Sequence, residues 1–526
     1  MKPAAPVTTA STGVLLHIRV EWHTRRSDRL SFATEIGPSR MSSIERRVAV
    51  TCATPTQRVH LAQGIAVIGS GYVGTVVAAC LAHVGHQVIA VEREPVKLEQ
   101  LKDGVAPFHE PGLDDLLARS LGAGRLSFTD DFAKAMDESD VVFLCVGTPP
   151  GTDGHPDMSA MSAVAHAIAG NLRHFHVIVT KSTVPIGTGR WLRSQIEDDL
   201  GTDEGHRTLF SVVSNPEFLR EGHAVEDYLH PDRIVLGSDD PAALRLVVEI
   251  YSPIAEQRIP GDEDPRSPVP LLQSDLATGE MTKYASNAFL ATKISFANEI
   301  ARLCDFVGAD VSAVAAGMGL DSRIGRRFLD AGLGWGGSCL GKDLSALVST
   351  AIEFGYHPTL LEAAMNINES QRQFVVDELL RQLRTLRGAR ICVLGLAFKA
   401  GTDDVRDSPG MDVAERLVGR GALVSAYDPM VKTLPGDSAI RLGSDAYSAA
   451  RGVDAIVIAT ECPEFVALDL GRIRGAMNGD LLFDGRNLFD SAQIRSQGFR
   501  YLSVGRPAVG VDKPAPLTLM PTAGPL

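Results

Sequence analysis

The feature that most constrains this chain is a glycine-punctuated junction between an apolar segment and a helix-forming one. Gly64-Ile65-Ala66-Val67-Ile68 reads as a buried strand, Gly69-Ser70-Gly71-Tyr72-Val73-Gly74 follows without a gap, and an Ala/Val-rich stretch runs on to His83. Gly85-His86 ends that helix, 88–91 makes the next strand, and Glu92 stands at its end. A strand, a G-x-G-x-x-G turn, a helix, and a second strand closed by an acid form the layout of a dinucleotide-binding unit. Gly69 and Gly71 allow the tight turn and close approach to a pyrophosphate, Gly74 lets the helix pack on the sheet, and the helix N-terminus faces the anion. Glu92 is placed to accept hydrogen bonds from ribose hydroxyls. Its charge repels a 2′-phosphate, which favours NAD over NADP, although Arg93 beside it pulls the other way.

The same alternation continues. Buried-type strands are expected at 141–146, 177–180 and 209–213, with helical stretches between them, so the first domain (61–260) is a doubly wound parallel sheet. From 277 the pattern becomes long and helical: Met281, Tyr284, Ala288, Leu290 and Ile294 continue the apolar face, with hardly a breaker before Gly308. Further helices at 344–354 and 358–386 complete a strandless central block (275–386), of a kind that often forms dimer interfaces. A second strand–helix alternation over 388–506 starts at Ile391-Cys392-Val393-Leu394-Gly395, with strands at 423–427, 455–459 and 481–484. The expected fold is α/β: two Rossmann-like doubly wound parallel-sheet domains joined by a long-helix dimerisation core. The second glycine loop, Gly395-Leu396-Ala397-Phe398-Lys399, lacks the second glycine and is the poorer dinucleotide site.

Residues 1–60 lean basic, with Arg25, Arg26, Arg29, Arg46 and Arg47, and lack periodicity; they read as a disordered arm or as an over-extended start with Met41 initiating. The Pro/Gly-rich tail at 507–526 reads as disordered. A net charge of −13 argues against a nucleic-acid binder, whose footprint is basic. No apolar run reaches the roughly 20 residues of a membrane span. Seven cysteines, an odd number without a CxxC pair, fit a reducing, cytoplasmic setting better than a disulfide framework, and no His or Cys cluster supports a metal site.

Cys339 stands apart from the other cysteines. It lies in Gly334-Trp335-Gly336-Gly337-Ser338-Cys339-Leu340-Gly341-Lys342-Asp343, where a glycine-rich loop meets the start of a helix. A helix N-terminus stabilises a thiolate, so a lowered thiol pKa is expected there, with Asp343 one turn along to orient a water. Two more pairs share the i, i+4 spacing. Lys283 and Asn287 fall on one face of the long helix, fit to stabilise a developing oxyanion, and Glu217 and Glu221 follow a strand end, where carboxylates serve as general acid or base.

The set GSGYVG, EPGL, CVGTP, KSTVP, NPEFLREG, KYASNAFLATKISFANE, GGSCLGKD, FKAGTDDVRDSP and DGRN, spread over 64–506, resembles the UDP-glucose/GDP-mannose dehydrogenase family. The resemblance implies an NAD-binding domain, a helical dimerising core and a C-terminal domain that holds the nucleotide of a sugar substrate. It also implies two successive oxidations of a primary alcohol by two NAD molecules, with the aldehyde captured as a thiohemiacetal and then carried as a thioester that water hydrolyses. By motif, Cys339 matches the nucleophile, Lys283 and Asn287 the oxyanion and substrate pair, Asp343 and Thr148 the residues that place the water, and Glu217 an acid/base carboxylate. For the cofactor, Val73, Glu92, Lys97, Thr148, Glu221, Lys342 and Arg406 join the glycine loop. For the nucleotide sugar, the implied contacts are Glu217, Phe218, Leu219, Arg220 and Glu221, together with Lys283 and Asn287. Phe328, Leu329, Asp330, Ala331 and Gly332 supply a second stretch, and Gly336, Lys399 and Arg486 complete the set. Glu92 replaces the family's more usual aspartate, and Gly341 stands where many members have proline.

GGSC, and Arg220-Glu221-Gly222 followed by His230-Pro231-Asp232-Arg233-Ile234-Val235, resemble the UDP-glucose branch more than the GDP-mannose or N-acetylhexosamine branches. The alternatives are GDP-mannose oxidation, a two-electron hydroxy-acid dehydrogenase, and a catalytically inactive nucleotide-sugar-binding protein. The last is disfavoured by the joint presence of Cys339, Lys283, Asn287 and Asp343, and a two-electron enzyme has no need of Cys339 or of the second sheet.

Overall fold

The computed structural model describes residues 49–51, 64–149, 151, 156–201, 209–264, 266–508 and 510. The expected N-terminal arm, apart from 49–51, and the tail beyond 510 lie outside the described residues.

The first sheet contains β1 (Ala49–Thr51), β2 (Gly64–Ile68), β3 (Gln87–Val91), β4 (Leu126–Thr129), β5 (Val141–Leu144), β6 (His176–Thr180), β7 (Phe210–Ser214), β8 (Ile234–Gly237) and β9 (Leu271–Ser274), in the order β1-β9-β8-β7-β6-β5-β2-β3-β4. From β4 to β7 the strands are parallel, and they run 3-2-1-4-5-6 in their own chain order, the doubly wound arrangement. The central strands β2, β5 and β6 are apolar almost throughout because helices cover both faces. β8 turns antiparallel at Ser214 and Gly237, and β9 and β1 extend that edge. The expected strand 141–146 stops at Leu144. Beyond it the chain turns against the glycine loop, where a Cβ on Gly69 would lie 3.1 Å from the Cys145 carbonyl oxygen.

The helix Tyr72–His83 lies flat on this sheet, with every residue from Gly74 to Ala82 buried. Gly74 has no room for a side chain: a Cβ there would come within 1.8 Å of the Gly69 carbonyl oxygen. The third glycine of the motif is therefore a packing requirement, as the sequence reading held.

A long helix, Leu276–Val307, leaves the first domain. Asp275 caps it by accepting the Thr278 N–H at 3.0 Å, and Gly308 ends it at φ 75°. At 32 residues it is about 48 Å long. The helices Leu340–Glu353 and Thr359–Leu383 pack on it, and no strand interrupts this central block.

The second sheet holds β10 (Arg390–Leu394), β11 (Leu423–Tyr427), β12 (Arg441–Leu442), β13 (Ala455–Ile458), β14 (Leu481–Asp484) and β15 (Arg500–Ser503). All its pairings are parallel and its order, β12-β11-β10-β13-β14-β15, repeats the 3-2-1-4-5-6 winding. The expected architecture of two Rossmann-like sheets joined by a long helix is the one observed. Among the described residues, no helix is long and apolar enough to cross a membrane.

Candidate active site

In doubly wound sheets, ligands bind outside the carboxyl ends of the strands, where the winding reverses. In the first sheet that point lies between β2 and β5. Gly71 caps the Tyr72–His83 helix without any side-chain hydrogen bond, and a Cβ on Gly71 would meet nothing within 4 Å, so the first-turn N–H groups face open space. Glu92, just past β3, accepts the Arg93 and Glu94 N–H groups at 2.8 and 3.0 Å and pairs with Lys97 at 2.8 Å. Burial alone would raise its carboxyl, but Lys97 and the two backbone donors hold it below the usual carboxylate range. An uncapped helix N-terminus beside an ionised acid fits a dinucleotide, with Val73 partly buried on the same turn.

The second glycine loop is built differently. Asp428, after β11, accepts the Leu396 and Ala397 N–H groups at 2.8 and 3.0 Å, so the donors that would cradle a phosphate are already satisfied. This carboxylate, rather than the missing glycine alone, disqualifies the loop as a second pyrophosphate site.

The loops after β5, β6 and β7 meet over the long helix. Thr148 donates to the Thr183 carbonyl at 2.6 Å, and Thr183 donates to Glu217 at 3.4 Å. Glu217 accepts from Lys283 Nζ at 2.8 Å and from the Leu219 N–H at 2.7 Å. One helical turn on, Asn287 donates to Asp343 at 2.6 Å, and Lys342 pairs with the other Asp343 oxygen at 2.8 Å. Lys283, Asn287, Glu217 and Asp343 are all buried, so the inward i, i+4 pair read from the sequence is present. Phe218 lies between two cations, the Lys283 ammonium and the Arg233 guanidinium, at 5.6 and 3.8 Å from its ring centre.

Burial works against both charges of the Lys283–Glu217 pair, yet each holds the other ionised. Lys283 is raised by Glu217, with help from Asp343 and Cys339, and Glu217 is lowered by Lys283. A carboxyl pinned in this way is a weak proton donor, which narrows the acid/base role expected of Glu217.

Cys339 caps the helix Leu340–Glu353, as expected. Its thiol pKa is raised, not lowered. The cysteine is reachable by solvent, but desolvation by the groups packed around it, followed by the Glu217 charge, outweighs Lys283 and the Ser338 hydroxyl. The sequence expectation counted the helix N-terminus and missed the carboxylate brought in from β7.

The loop that carries Cys339 is anchored at Trp335. The Trp335 N–H donates to Asn368 at 2.7 Å, its indole donates to Ser295 at 3.0 Å, and Arg372 donates to the Trp335 carbonyl at 3.0 Å. A Cβ on Gly336 would fall 2.1 Å from the Asp407 carbonyl oxygen, so the loop lies directly on the second domain. Gly332 approaches Gly485 and Arg486 in the same manner, and its N–H donates to Asn298 at 2.8 Å. Leu329 and Ala331 are buried beneath this loop, whereas Phe328 is exposed in a left-handed conformation, φ 65°.

Glu221 closes the cleft. It accepts from Ser338 at 3.2 Å and from Arg406 at 3.3 Å, and Arg406 also binds Asp404. Burial and the adjacent Asp404 raise the Glu221 carboxyl to about 7. Lys399 is lowered by burial despite the pull of Glu221. Arg486 is engaged by the Ala459 carbonyl at 2.8 Å and by Glu461 at 3.3 Å. Two expected substrate residues are turned elsewhere: Arg220 forks onto Asp227, and Asp330 is exposed and pairs with Arg326.

Sequence reasoning passed over Thr183, Ser338 and Asp404, although each lay inside a quoted motif. The position of Thr183 at the carboxyl end of a parallel strand was a usable signal. Ser338 and Asp404 carried none without the fold.

Sequence profiles of the UDP-glucose/GDP-mannose dehydrogenase family match the chain in three successive blocks: the NAD binding domain at 63–255, the central domain at 277–370 and the UDP binding domain at 392–491. The chain is 43% identical over 457 residues to UDP-glucose 6-dehydrogenase TuaD of Bacillus subtilis (strain 168), covering 86% of this chain and 95% of that one. It is 45% identical over 449 residues to UDP-glucose 6-dehydrogenase of Rhizobium meliloti (strain 1021), covering 84% and 99%. Its fold matches the solved UDP-glucose dehydrogenase of the hyperthermophilic archaeon Pyrobaculum islandicum with a TM-score of 0.77 at 37% identity, over 86% of this chain and all of that one. The chain belongs to the UDP-glucose/GDP-mannose dehydrogenase family.

Proposed function

We propose that this chain is a UDP-glucose 6-dehydrogenase, which oxidises the C6 alcohol of UDP-glucose to the carboxylate of UDP-glucuronate in two two-electron steps. The observation that carries the reading is the convergence, in one cleft between the two sheets, of Cys339 with the Lys283–Glu217 and Asn287–Asp343 pairs. NAD supplies the hydride acceptor for each oxidation. Glu92, Lys97 and the turn of Gly69, Gly71 and Gly74 hold it at the switch point of the first sheet, with Thr148, Glu221, Lys342 and Arg406 toward the cleft.

The Lys283 ammonium stands ready to stabilise the oxyanion formed when the thiol adds to the C6 aldehyde, and its partner Glu217 keeps it charged. The covalent bond to Cys339 retains the aldehyde between oxidations, and the second oxidation leaves a thioester, an acyl group that water attacks readily. Asp343, oriented by Asn287 and Lys342, and Thr148 place that water. The loops bearing Leu329, Ala331, Gly332, Gly336, Lys399 and Arg486 form the floor on which the nucleotide sugar rests against the second sheet.

Phe289, Phe296, Leu303 and Phe306 form an exposed apolar row along the outer face of the long helix. A row of this size on a helix that carries catalytic groups supports a homodimer built on the central block. The six described cysteines are all free thiols, which supports a cytoplasmic setting.

Purified protein supplied with NAD and either UDP-glucose or GDP-mannose, with NADH followed by absorbance, tests the reading. Two NADH per UDP-glucose consumed, with GDP-mannose poorly used, is the expected result. One NADH per sugar, or a preference for GDP-mannose, would overturn it.

A further inference from the structure

The proposed chemistry needs a thiol that gives up its proton as it attacks, and the cleft holds that thiol in its neutral form. Lys283 is itself protonated and Glu217 is committed to it, so neither is free to take the proton. Among the described residues, the hydrogen-bonding side chain at the sulfur is Ser338, whose Oγ lies 3.5 Å from Cys339 Sγ and 3.2 Å from Glu221 Oε1. A hydroxyl has one proton to donate. With that proton directed to the carboxylate, its lone pairs face the S–H.

We propose that Ser338 and Glu221 form a proton relay for Cys339, passing the thiol proton through the serine hydroxyl to the Glu221 carboxylate as the sulfur attacks. The proposal rests on Cys339 being the nucleophile. As the Sγ–C6 bond forms, the S–H bond breaks, Ser338 Oγ takes that proton and its own proton moves to Glu221 Oε1. The carbonyl π pair shifts onto oxygen beside the Lys283 ammonium. No electron is gained or lost, and the products are a thiohemiacetal oxyanion and a neutral Glu221. When water later expels the sulfur from the thioester, the same path returns the proton.

Glu221 suits this role better than Glu217. A general base works best with a pKa near the operating pH, and burial and Asp404 bring Glu221 to about 7. The charged groups around the relay are few. Asp404, Arg406, Lys399 and the Tyr72 hydroxyl face Glu221, and Glu217, Lys283, Asp343 and Arg406 face Cys339.

Alkylation of Cys339 by iodoacetamide, measured from pH 6 to 10 without cofactor or sugar, tests the relay on the intact protein. Peptide mass spectrometry locates the adduct, and the five other described cysteines are buried. The wild-type rate should rise once near pH 7, as Glu221 ionises, and again at higher pH, as the thiol ionises unaided. Ser338→Ala and Glu221→Gln should each lose the first rise and react at least about tenfold more slowly at pH 8, while Ser338→Thr, which keeps the hydroxyl, restores it. If Glu221 acted only through its charge, Glu221→Gln would speed alkylation instead. That result, survival of the first rise in both variants, or its absence from the wild type, would overturn the relay. Thermal melting checks that each variant is folded; should Ser338→Ala not fold, Glu221→Gln and Ser338→Thr still decide. A wild type that forms no UDP-glucuronate sinks the proposed function and leaves the alkylation profile to judge the relay.

Discussion

Lys283→Met removes one charge of the buried pair while nearly preserving its volume. The Lys283 and Glu217 side chains are only 5% and 6% exposed and 2.8 Å apart, so the loss strands a carboxylate away from water. Glu217 would keep the Leu219 N–H at 2.7 Å and the more distant Thr183 hydroxyl at 3.4 Å. Breaking a buried pair by removing one partner costs about 3–5 kcal/mol. For a domain of this size each kcal/mol is about 2–4 °C in Tm, so the transition should fall by roughly 6–20 °C.

The pH dependence is the sharper test. In the native protein the Glu217 carboxyl is depressed, so its contribution is present above the unfolded pKa of about 4.3 and is lost as the pH falls through the folded value. Lys283 is raised, so its contribution is complete below about 10.4 and is lost as the pH rises through the folded value. Between about pH 5 and 10 the pair therefore gives a level contribution. Without Lys283, burial dominates and lifts the Glu217 carboxyl above its unfolded value. The variant is then least impaired when Glu217 is protonated, and its deficit grows from pH 5 to pH 8. Scanning calorimetry at pH 5, 6, 7 and 8 reads this directly. Adding Glu217→Gln to Lys283→Met should recover most of the loss, because no charge is left stranded. A deficit that stays constant across this range, or one below about 1 kcal/mol, would refute the reading of a mutually stabilised ion pair.

Cys339→Ser should bind UDP-glucose and NAD with near-native affinity while UDP-glucuronate formation falls by about a thousandfold or more, since no thioester can form; full activity in steady-state assays would remove the covalent route. Glu92→Ser should narrow the preference for NAD over NADP by about tenfold in kcat/KM, because the carboxylate that repels a 2′-phosphate is gone and Lys97 is freed from its 2.8 Å pair. An unchanged ratio would move cofactor selection away from this strand end.

The limits of sequence reading follow a physical division. Strands β2, β5, β6, β10 and β13 were legible because both faces are covered, which leaves an unbroken apolar run. The edge strands Leu126–Thr129, Arg441–Leu442 and Arg500–Ser503 were not, since an edge or near-edge strand needs only two to four residues and tolerates Ser, Thr or Arg. Lys283 and Asn287 were legible because the helix fixes their relative positions; Glu217, 66 residues from Lys283, was placed only by the winding of the sheet.

The same division explains the misjudged thiol. A helix N-terminus is a local property, worth roughly 0.3–1 kcal/mol, and can be read from the order of residues around Cys339. Desolvation is a property of the tertiary packing around the sulfur and can move a buried group by several pKa units. The Glu217 charge, arriving from β7, adds to it and leaves no trace near position 339. Where a weak local term opposes a strong distant one, the sequence singles out a cysteine at a helix start and gives its resting state the wrong sign. For Cys339 that sign matters chemically: a resting thiolate needs no base, whereas a resting thiol needs one within reach, and the hydroxyl of Ser338 leads to Glu221.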